Sequence, residues 1–333
     1  MKAPAFWWRS ELGFPARLLA PIGAIYGNVT ARRMGQKGVD AAIPVICVGN
    51  LVAGGAGKTP TALVIAAMLQ AMGRRPAFLS RGYGGELAGP ISVDAARHTA
   101  RQVGDEPLLL VRQGPTIVSR DRVAGAALAA HLSADVLVMD DGLQNPSLQK
   151  KFVLAVVDGD AGIGNGLCVP AGPLRAPLSA QWPYLDAVLI IGPGDAGDRL
   201  AHRAVETGKP VLRARLTPDE IVSSRLRGQQ VLAFAGIGRP EKFFTSLREL
   251  GAEPVATHAF PDHALLTATE AAELLREARD RRLMLATTEK DFVRMRGHPD
   301  LAELANASTA LPVKLQLEDE HGLAQLLSVS LAR

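Results

Sequence analysis

Residues 44–60 read PVICVGNLVAGGAGKTP, and their reading decides the fold. An apolar, β-branched run (Val45, Ile46, Val48) enters a glycine-rich turn that ends in Gly57-Lys58-Thr59. A helix-compatible segment, TALVIAAMLQAM, follows. This strand, loop and helix order is what a phosphate-binding P-loop requires. Gly54, Gly55 and Gly57 allow the backbone to turn its N–H groups inward around phosphate oxygens, and the following helix adds its N-terminal dipole. The stretch Val52, Ala53, Gly54, Gly55, Ala56, Gly57, Lys58 and Thr59 is therefore the expected nucleotide-binding loop. Lys58 is placed to reach the β- and γ-phosphates, and the Thr59 hydroxyl to hold Mg²⁺. The usual pattern has glycine six residues before the lysine, where this chain has Val52.

Alternation of strands and helices continues outward from this loop. Strand-like runs fall at 44–49, 76–80, 115–118, 135–140, 152–157 and 186–191, with helical segments at about 59–72, 121–132 and 196–207. Near-continuous apolar strands separated by helices predict an α/β fold, a P-loop NTPase-like, largely parallel sheet with helices on both faces. A second αβ pattern occupies 231–288 and predicts a smaller α/β domain. The expected organisation is an N-terminal helix at a membrane interface (1–35), a P-loop core (36–212), a linker (213–230), the smaller domain (231–310) and a tail returning to the core (311–333).

Composition bounds the function. The 333 residues are 47% hydrophobic and 21% charged, with a net charge of +4. That balance suits an acidic ligand or an anionic membrane surface. No nucleic-acid-binding motif is present, so no nucleic acid partner is expected. Cys47 and Cys168 match no metal or redox spacing, as in a reducing, cytoplasmic compartment. At the N-terminus, Phe6, Trp7, Trp8 and Phe14 lie beside Arg9 and Arg17, and an uncharged run leads to Arg32, Arg33 and Lys37. The run is too short to span a bilayer and is interrupted by Pro21, Gly23 and Gly27. Aromatic groups between basic residues suit a helix lying in a membrane interface, the alternative being a helix docked on the protein's own core.

Further segments carry candidate chemistry. The apolar strand Val136–Met139 ends in Asp140 and Asp141, the natural partner of a P-loop for holding Mg²⁺. Gly142-Leu143-Gln144 adds a tight turn and an amide near the phosphates. Asp105 and Glu106 in VGDEP form a second acidic pair. They read either as helix first-turn residues or as carboxylates at the γ-phosphate, one accepting a hydroxyl proton. The candidate metal ligands are thus Thr59, Asp140, Asp141 and Glu106. SRGYGG (80–85, with Tyr83 as a candidate nucleotide contact) and PAGPLR (170–175, ending in Arg175) read as phosphate loops or as surface turns. His263 follows a strand in FPDH. TEKD (288–291) superficially resembles the guanine-reading N-K-x-D, but its lysine is one place late, which favours ATP over GTP.

In this order, GNLVAGGAGKTP, SRGYGG, VGDEP, DDGLQ, PAGPLR, FAGIGRPEKFF, FPDH and TEKD resemble the tetraacyldisaccharide 4′-kinase family of lipid A biosynthesis, from the N-terminus to about residue 295. That family's P-loop also lacks the first glycine. It often has His after DDGLQ, where this chain has Asn145. The resemblance implies transfer of the ATP γ-phosphate to the 4′-hydroxyl of a tetraacylated disaccharide 1-phosphate, with Mg²⁺, on the cytoplasmic face of the inner membrane; the chain is expected to act as a monomer. It assigns the base to Asp105, tuned by His263, and charge neutralisation to Lys58 and Arg175. The readings that compete with it are a P-loop kinase for another small molecule and a nucleotide-regulated membrane protein with little turnover.

Overall fold

The computed structural model describes residues 3–9 and 11–332. Its strands in chain order are β1 (Val45–Gly49), β2 (Pro76–Ser80), β3 (Ile91–Ser92), β4 (Thr116–Val118), β5 (Val136–Asp140), β6 (Phe152–Asp158), β7 (Ala187–Ile191), β8 (Val211–Pro218), β9 (Gln230–Ala235), β10 (Glu253–Ala259), β11 (Met284–Thr288), β12 (Ser308–Leu311) and β13 (Val313–Leu317). They form a nine-stranded sheet, ordered β13-β8-β7-β6-β1-β5-β2-β4-β3, and a four-stranded sheet, ordered β10-β9-β11-β12. The large sheet is parallel from β8 to β4, with β13 and β3 antiparallel at its edges.

Burial explains the strand composition. Every residue of β1, β2, β5 and β7 is buried, because helices cover both faces, so these strands are apolar throughout rather than alternating. The chain leaves β1 toward β2, returns to β5, then crosses β1 to reach β6 on its other side. Ligand crevices in such sheets lie where the winding reverses, outside the carboxyl ends of the strands. Here those ends carry the glycine loop after β1 and the two aspartates at the end of β5.

The polar segment read as a linker is structured. Residues 211–218 form β8, hydrogen-bonded to β7 on one side and to β13 on the other, and Glu220–Leu226 is a helix. β8 is an outer strand with alternating exposure, so its polar positions face solvent and its sequence loses the apolar signature of its neighbours. The chain's last segment supplies β13 and the helix Glu320–Ala332, whose Leu323 and Leu327 join Ile46, Val156 and Leu189 in one core.

The N-terminal segment is not one helix. Ala5–Trp8 is a 3₁₀ turn, and the α-helix runs Phe14–Met34. Trp7 is buried, donates Nε1–H to Pro170 O at 2.9 Å and belongs to the core, contrary to its expected place in the interface. An indole needs a partner for its N–H once buried, and the rigid 170–175 loop supplies it. The α-helix instead turns its small residues inward: Ala16, Gly23 and Gly27 are buried, and Gly23 and Gly27 lie against Cys168 and Ala171 so closely that a Cβ would clash. Phe14, Leu18, Ile22, Ile25, Tyr26 and Val29 are exposed. No helix among the described residues is long and apolar enough to cross a membrane.

Candidate active site

The glycine loop is held from behind. Ala53 N–H donates to Pro173 O, Arg175 N–H to Leu51 O, and Val52 pairs with Leu174. Val52 N–H is taken by Asn50 Oδ1. Thus the amides of Val52 and Ala53 are spent on the protein, and the open part of the loop is Gly54 to Thr59. Val52 is buried against PAGPLR, which accounts for an apolar residue at that position. Gly57 has φ +87°, and a Cβ there would meet Ile191 at 2.7 Å, so both conformation and space require glycine. Lys58 begins the helix Lys58–Ala71; its Nζ lies 3.4 Å from Gly54 O and 3.7 Å from Asp141 Oδ1.

Asp140 and Asp141 separate in role. Asp141 is gripped bidentately by Arg175, Nη1–Oδ1 2.7 Å and Nη2–Oδ2 2.9 Å. Burial alone would raise its pKa, but the Lys58 and Arg175 charges hold it well below the usual carboxylate range. Asp140 is 1% exposed, lies 3.4 Å from Thr59 Oγ1, and its Oδ1 has no hydrogen-bond partner. Burial, and next the nearby Glu106 charge, push it up to about 7. An orphaned, buried carboxylate oxygen beside a hydroxyl and a second carboxylate fits a divalent cation. Among the described residues no three His, Cys, Asp or Glu side chains form a complete metal cage. Mg²⁺ does not demand one, since it takes one or two carboxylates together with nucleotide phosphates and water. Asp140 and Thr59 match that donor set. Asp141, committed to Arg175, does not. Glu106 is paired with Lys290 Nζ at 2.7 Å.

Gln144 is a brace. Its Nε2 donates to Asn50 O and Gln181 Oε1, both at 2.8 Å, and its Oε1 accepts from Arg175 at 3.3 Å, so its amide is used within the protein. Tyr83 is 65% exposed and stands edge-on to His263, with ring centroids 5.0 Å apart. Gln144's amide is thus already used within the protein, whereas Tyr83 packs edge-on against the imidazole and keeps most of its surface exposed beside the site.

SRGYGG and VGDEP interlock. Gly104 has φ +89°, and a Cβ on it would lie 2.6 Å from Tyr83 O; one on Gly85 would lie 2.7 Å from Gly104 N. This close approach seats Asp105 at the start of the helix Asp105–Leu110, 3% exposed. Its Oδ1 accepts from Glu106 N–H at 2.9 Å. Its Oδ2 meets two residues of the smaller sheet's domain: His263 Nδ1 at 3.2 Å and Arg294 Nε at 2.8 Å. Burial opposes ionisation, but the His263 hydrogen bond and the Lys290 and Arg294 charges keep Asp105 well below the usual range. His263 sits at φ +59°, in a left-handed conformation uncommon for a non-glycine residue. Its Nε2 is 3.7 Å from Asp262 Oδ1, beyond hydrogen-bond reach. The loop bearing Gly238 approaches the glycine loop of β1, where a Cβ on Gly238 would lie 3.2 Å from Asp262 Oδ2 and 4.0 Å from Gly55 N. The two sheets thus meet over the open amides.

The sequence marks Lys290 only as the lysine of TEKD and does not single out Arg294. Their signal was an i, i+4 spacing of two cations in a short helix, which reads by default as a solvated face. TEKD is no base-reading motif here. Thr288 caps the helix Glu289–Met295, which turns Lys290 and Arg294 toward the Asp105 helix.

The chain is similar to known proteins along nearly its whole length. A family model described as Tetraacyldisaccharide-1-P 4′-kinase matches residues 15–332. The chain is 58% identical over 332 residues to the tetraacyldisaccharide 4′-kinase of Methylobacterium sp. (strain 4-46), covering 100% of this chain and 97% of that one. It is 49% identical to that of Bradyrhizobium sp. (strain BTAi1), covering 100% and 96%. The crystal structure of LpxK from Aquifex aeolicus in complex with ATP superposes with a TM-score of 0.69 at 26% identity, covering 95% of this chain and 99% of that one. With the P-loop, the acid-bearing β5 and the match along nearly its whole length, this chain belongs to the tetraacyldisaccharide-1-P 4′-kinase family.

Proposed function

We propose that this chain transfers the γ-phosphate of ATP to the 4′-hydroxyl of a tetraacyldisaccharide 1-phosphate, a step of lipid A biosynthesis, with the glycine loop and the Asp105–His263 pair facing one another across the reacting groups. The observation that carries the reading is that pair: a carboxylate from the large sheet's domain and an imidazole from the other, 3.2 Å apart at the mouth of a P-loop. A protein that only bound nucleotide would need no such pair. ATP as donor is supported by the ATP-bound LpxK structure and by the lack of N-K-x-D.

The hydroxyl oxygen attacks the γ-phosphorus, the bond to the β–γ bridging oxygen breaks, and ADP leaves. Phosphoryl transfer depends on in-line placement and charge neutralisation. Lys58 supplies a fixed cation at the γ-phosphate. Arg175 acts through Asp141, which it holds against Lys58. Asp140 and Thr59 would hold Mg²⁺, which neutralises charge on the β- and γ-phosphate oxygens when bound. The hydroxyl proton goes to His263 Nε2 rather than to Asp105. Both carboxylate oxygens of Asp105 are occupied and its affinity for a proton is depressed, whereas Nε2 is free. Asp105 then orients the imidazole through Nδ1 and stabilises its cation, as carboxylates do for histidine bases elsewhere.

The exposed apolar stripe of the helix Phe14–Met34, with Arg17, Arg32 and Arg33 beside it, supports seating on an anionic membrane surface. A lipid substrate would then be reached from the bilayer by a monomer at the cytoplasmic face of the inner membrane.

The deciding experiment follows phosphate transfer from labelled ATP to the disaccharide precursor, with kcat and ATP KM for Asp105→Asn, His263→Ala and the double variant. Each single change is expected to lower kcat by about 10²- to 10⁴-fold with ATP KM near normal. The double variant should be little worse than the worse single, because groups acting as a unit are non-additive. Wild-type kcat in His263→Ala, or multiplicative losses, would overturn the pair.

A further inference from the structure

Arg294 is the most enclosed cation at the domain junction, with its side chain 5% exposed. Two of its three nitrogens, Nε and Nη1, donate hydrogen bonds. Nε donates to Asp105 Oδ2 at 2.8 Å, and Nη2 stands 2.6 Å from the same oxygen without hydrogen-bond alignment. Nη1 donates to Gly236 O and to Asp291 Oδ1, both at 2.7 Å. Asp291 in turn accepts from Gly236 N–H at 3.0 Å and from Thr288 Oγ1 at 2.6 Å. Gly236 O has a second donor, the backbone N–H of His263 at 3.1 Å. One guanidinium therefore grips the carboxylate that His263 Nδ1 contacts and also the carbonyl that holds the His263 backbone. Asp105 and His263 belong to different domains, and beside their direct contact the planar guanidinium of Arg294 ties the Asp105 carboxylate to the backbone of the His263 loop.

We propose that Arg294 is a positioning residue for phosphoryl transfer: by holding Asp105 Oδ2 and Gly236 O at once, it sets the register of the Asp105 carboxylate against the His263 imidazole when the two domains are docked. This rests on the roles proposed above for Asp105 and His263. Lys290–Glu106 and Arg112–Glu289 run from the same helix to the Asp105 helix and add attraction between the domains. Neither pair hydrogen-bonds Asp105 or the His263 loop, and the Lys290 charge acts on Asp105 without fixing its orientation, so neither sets that register. A lysine at 294 keeps a cation but is a single point of charge and cannot span a carboxylate and a carbonyl in fixed geometry.

The test compares Arg294→Met and Arg294→Lys in the wild-type and His263→Ala backgrounds, reading kcat, ATP KM and melting temperature of the full chain. Arg294→Met should lower kcat by about 100-fold, as for an ångström-scale misplacement of a reacting group, with ATP KM unchanged. Arg294→Lys should recover part of it, leaving about a tenfold loss, and carries the test if Arg294→Met does not fold. In the His263→Ala background neither change should reduce kcat further, because the imidazole being positioned is gone. If Arg294→Lys turns over at the wild-type rate, or if the same fold-loss recurs in the His263→Ala background, Arg294 is only a structural tie and the proposal falls. Should His263→Ala itself keep wild-type kcat, the pair falls and this proposal with it. An impaired His263→Ala beside fully active Arg294 variants would overturn this proposal alone.

Discussion

Lys58 is 7% exposed, and its ammonium is poised between Gly54 O and Asp141 rather than free to roam. A lysine so held is a cation placed in advance of the nucleotide. Lys58→Ala is expected to lower kcat by about 10³-fold or more with the fold intact, which circular dichroism and turnover together would check. Asp140 differs in kind from its neighbour. Its unpartnered Oδ1 is a group that folding alone leaves unsatisfied, and such atoms in native proteins call for an ion or a reacting group. Asp140→Asn should therefore abolish most activity while raising the Mg²⁺ concentration needed for half-maximal rate. Calorimetric titration of Mg²⁺ in the presence of a non-hydrolysable ATP analogue should show binding weakened about tenfold or more. Asp141→Asn should instead act by freeing Arg175, with some loss of thermal stability alongside activity, since breaking a half-buried bidentate pair leaves a cation uncompensated.

At the scale of elements, the helix Phe14–Met34 inverts the usual arrangement. A helix docked on a protein core buries its large apolar side chains, whereas this one buries Ala16, Gly23, Gly27 and, at its end, Met34, and exposes Phe14, Leu18, Ile22, Ile25 and Val29. Replacing Leu18, Ile22, Ile25 and Val29 with Ser should release the protein from anionic liposomes in sedimentation assays, with melting temperature almost unchanged. Added salt should release the unmodified protein only in part, because the basic contribution is screened and the apolar one persists. Trp7→Ser should do the reverse, lowering stability through the lost Pro170 hydrogen bond and packing without primarily changing lipid affinity. The C-terminal helix is a second telling element. Leu323 and Leu327 are completely buried in the main core, so Leu323→Ala should destabilise the protein by about 2–5 kcal/mol, measurable by chemical denaturation.

For the whole molecule, the two domains meet through charged side chains and through Val293, which packs with Val103, Leu108 and Leu109. Asp158 at the end of β6 pairs with Lys242 at 2.5 Å and Arg239 at 2.9 Å, and Arg239 also lies 5.9 Å from the Trp8 ring centre. On the other flank, Arg294, Lys290 and Glu289 engage the Asp105 helix. Lys242 is nearly half exposed, and pairs of that kind contribute about 1 kcal/mol or less. Lys242→Ala should thus shift domain docking by no more than about fivefold, seen as a modest rise in KM, whereas loss of the enclosed Arg294 should be felt in kcat. Ion pairs around a small apolar contact make the kind of junction across which domains of one chain can move.

The local pattern of residues was sufficient for the α/β fold, the glycine loop and the acid-bearing β5. A buried parallel strand must be apolar throughout, and a phosphate loop must place glycines where the backbone turns, so both leave marks over a few consecutive residues. It also marked Asp105, but not whether that carboxylate capped a helix or faced a reaction; the structure has it accept from Glu106 N–H and from His263 together. What only tertiary structure decided were relations between distant segments. β8 looked like a linker because an outer strand is half solvated. Trp7 looked like an interface residue because an indole has one composition whether it meets lipid or Pro170. Asp140 and Asp141, adjacent in sequence, were indistinguishable until Arg175 took one and left the other open. Arg294 carried only the i, i+4 spacing from Lys290, which any solvated helix face shares, since a cation in a short helix acquires its meaning from the carboxylate that another domain brings within 2.8 Å of it.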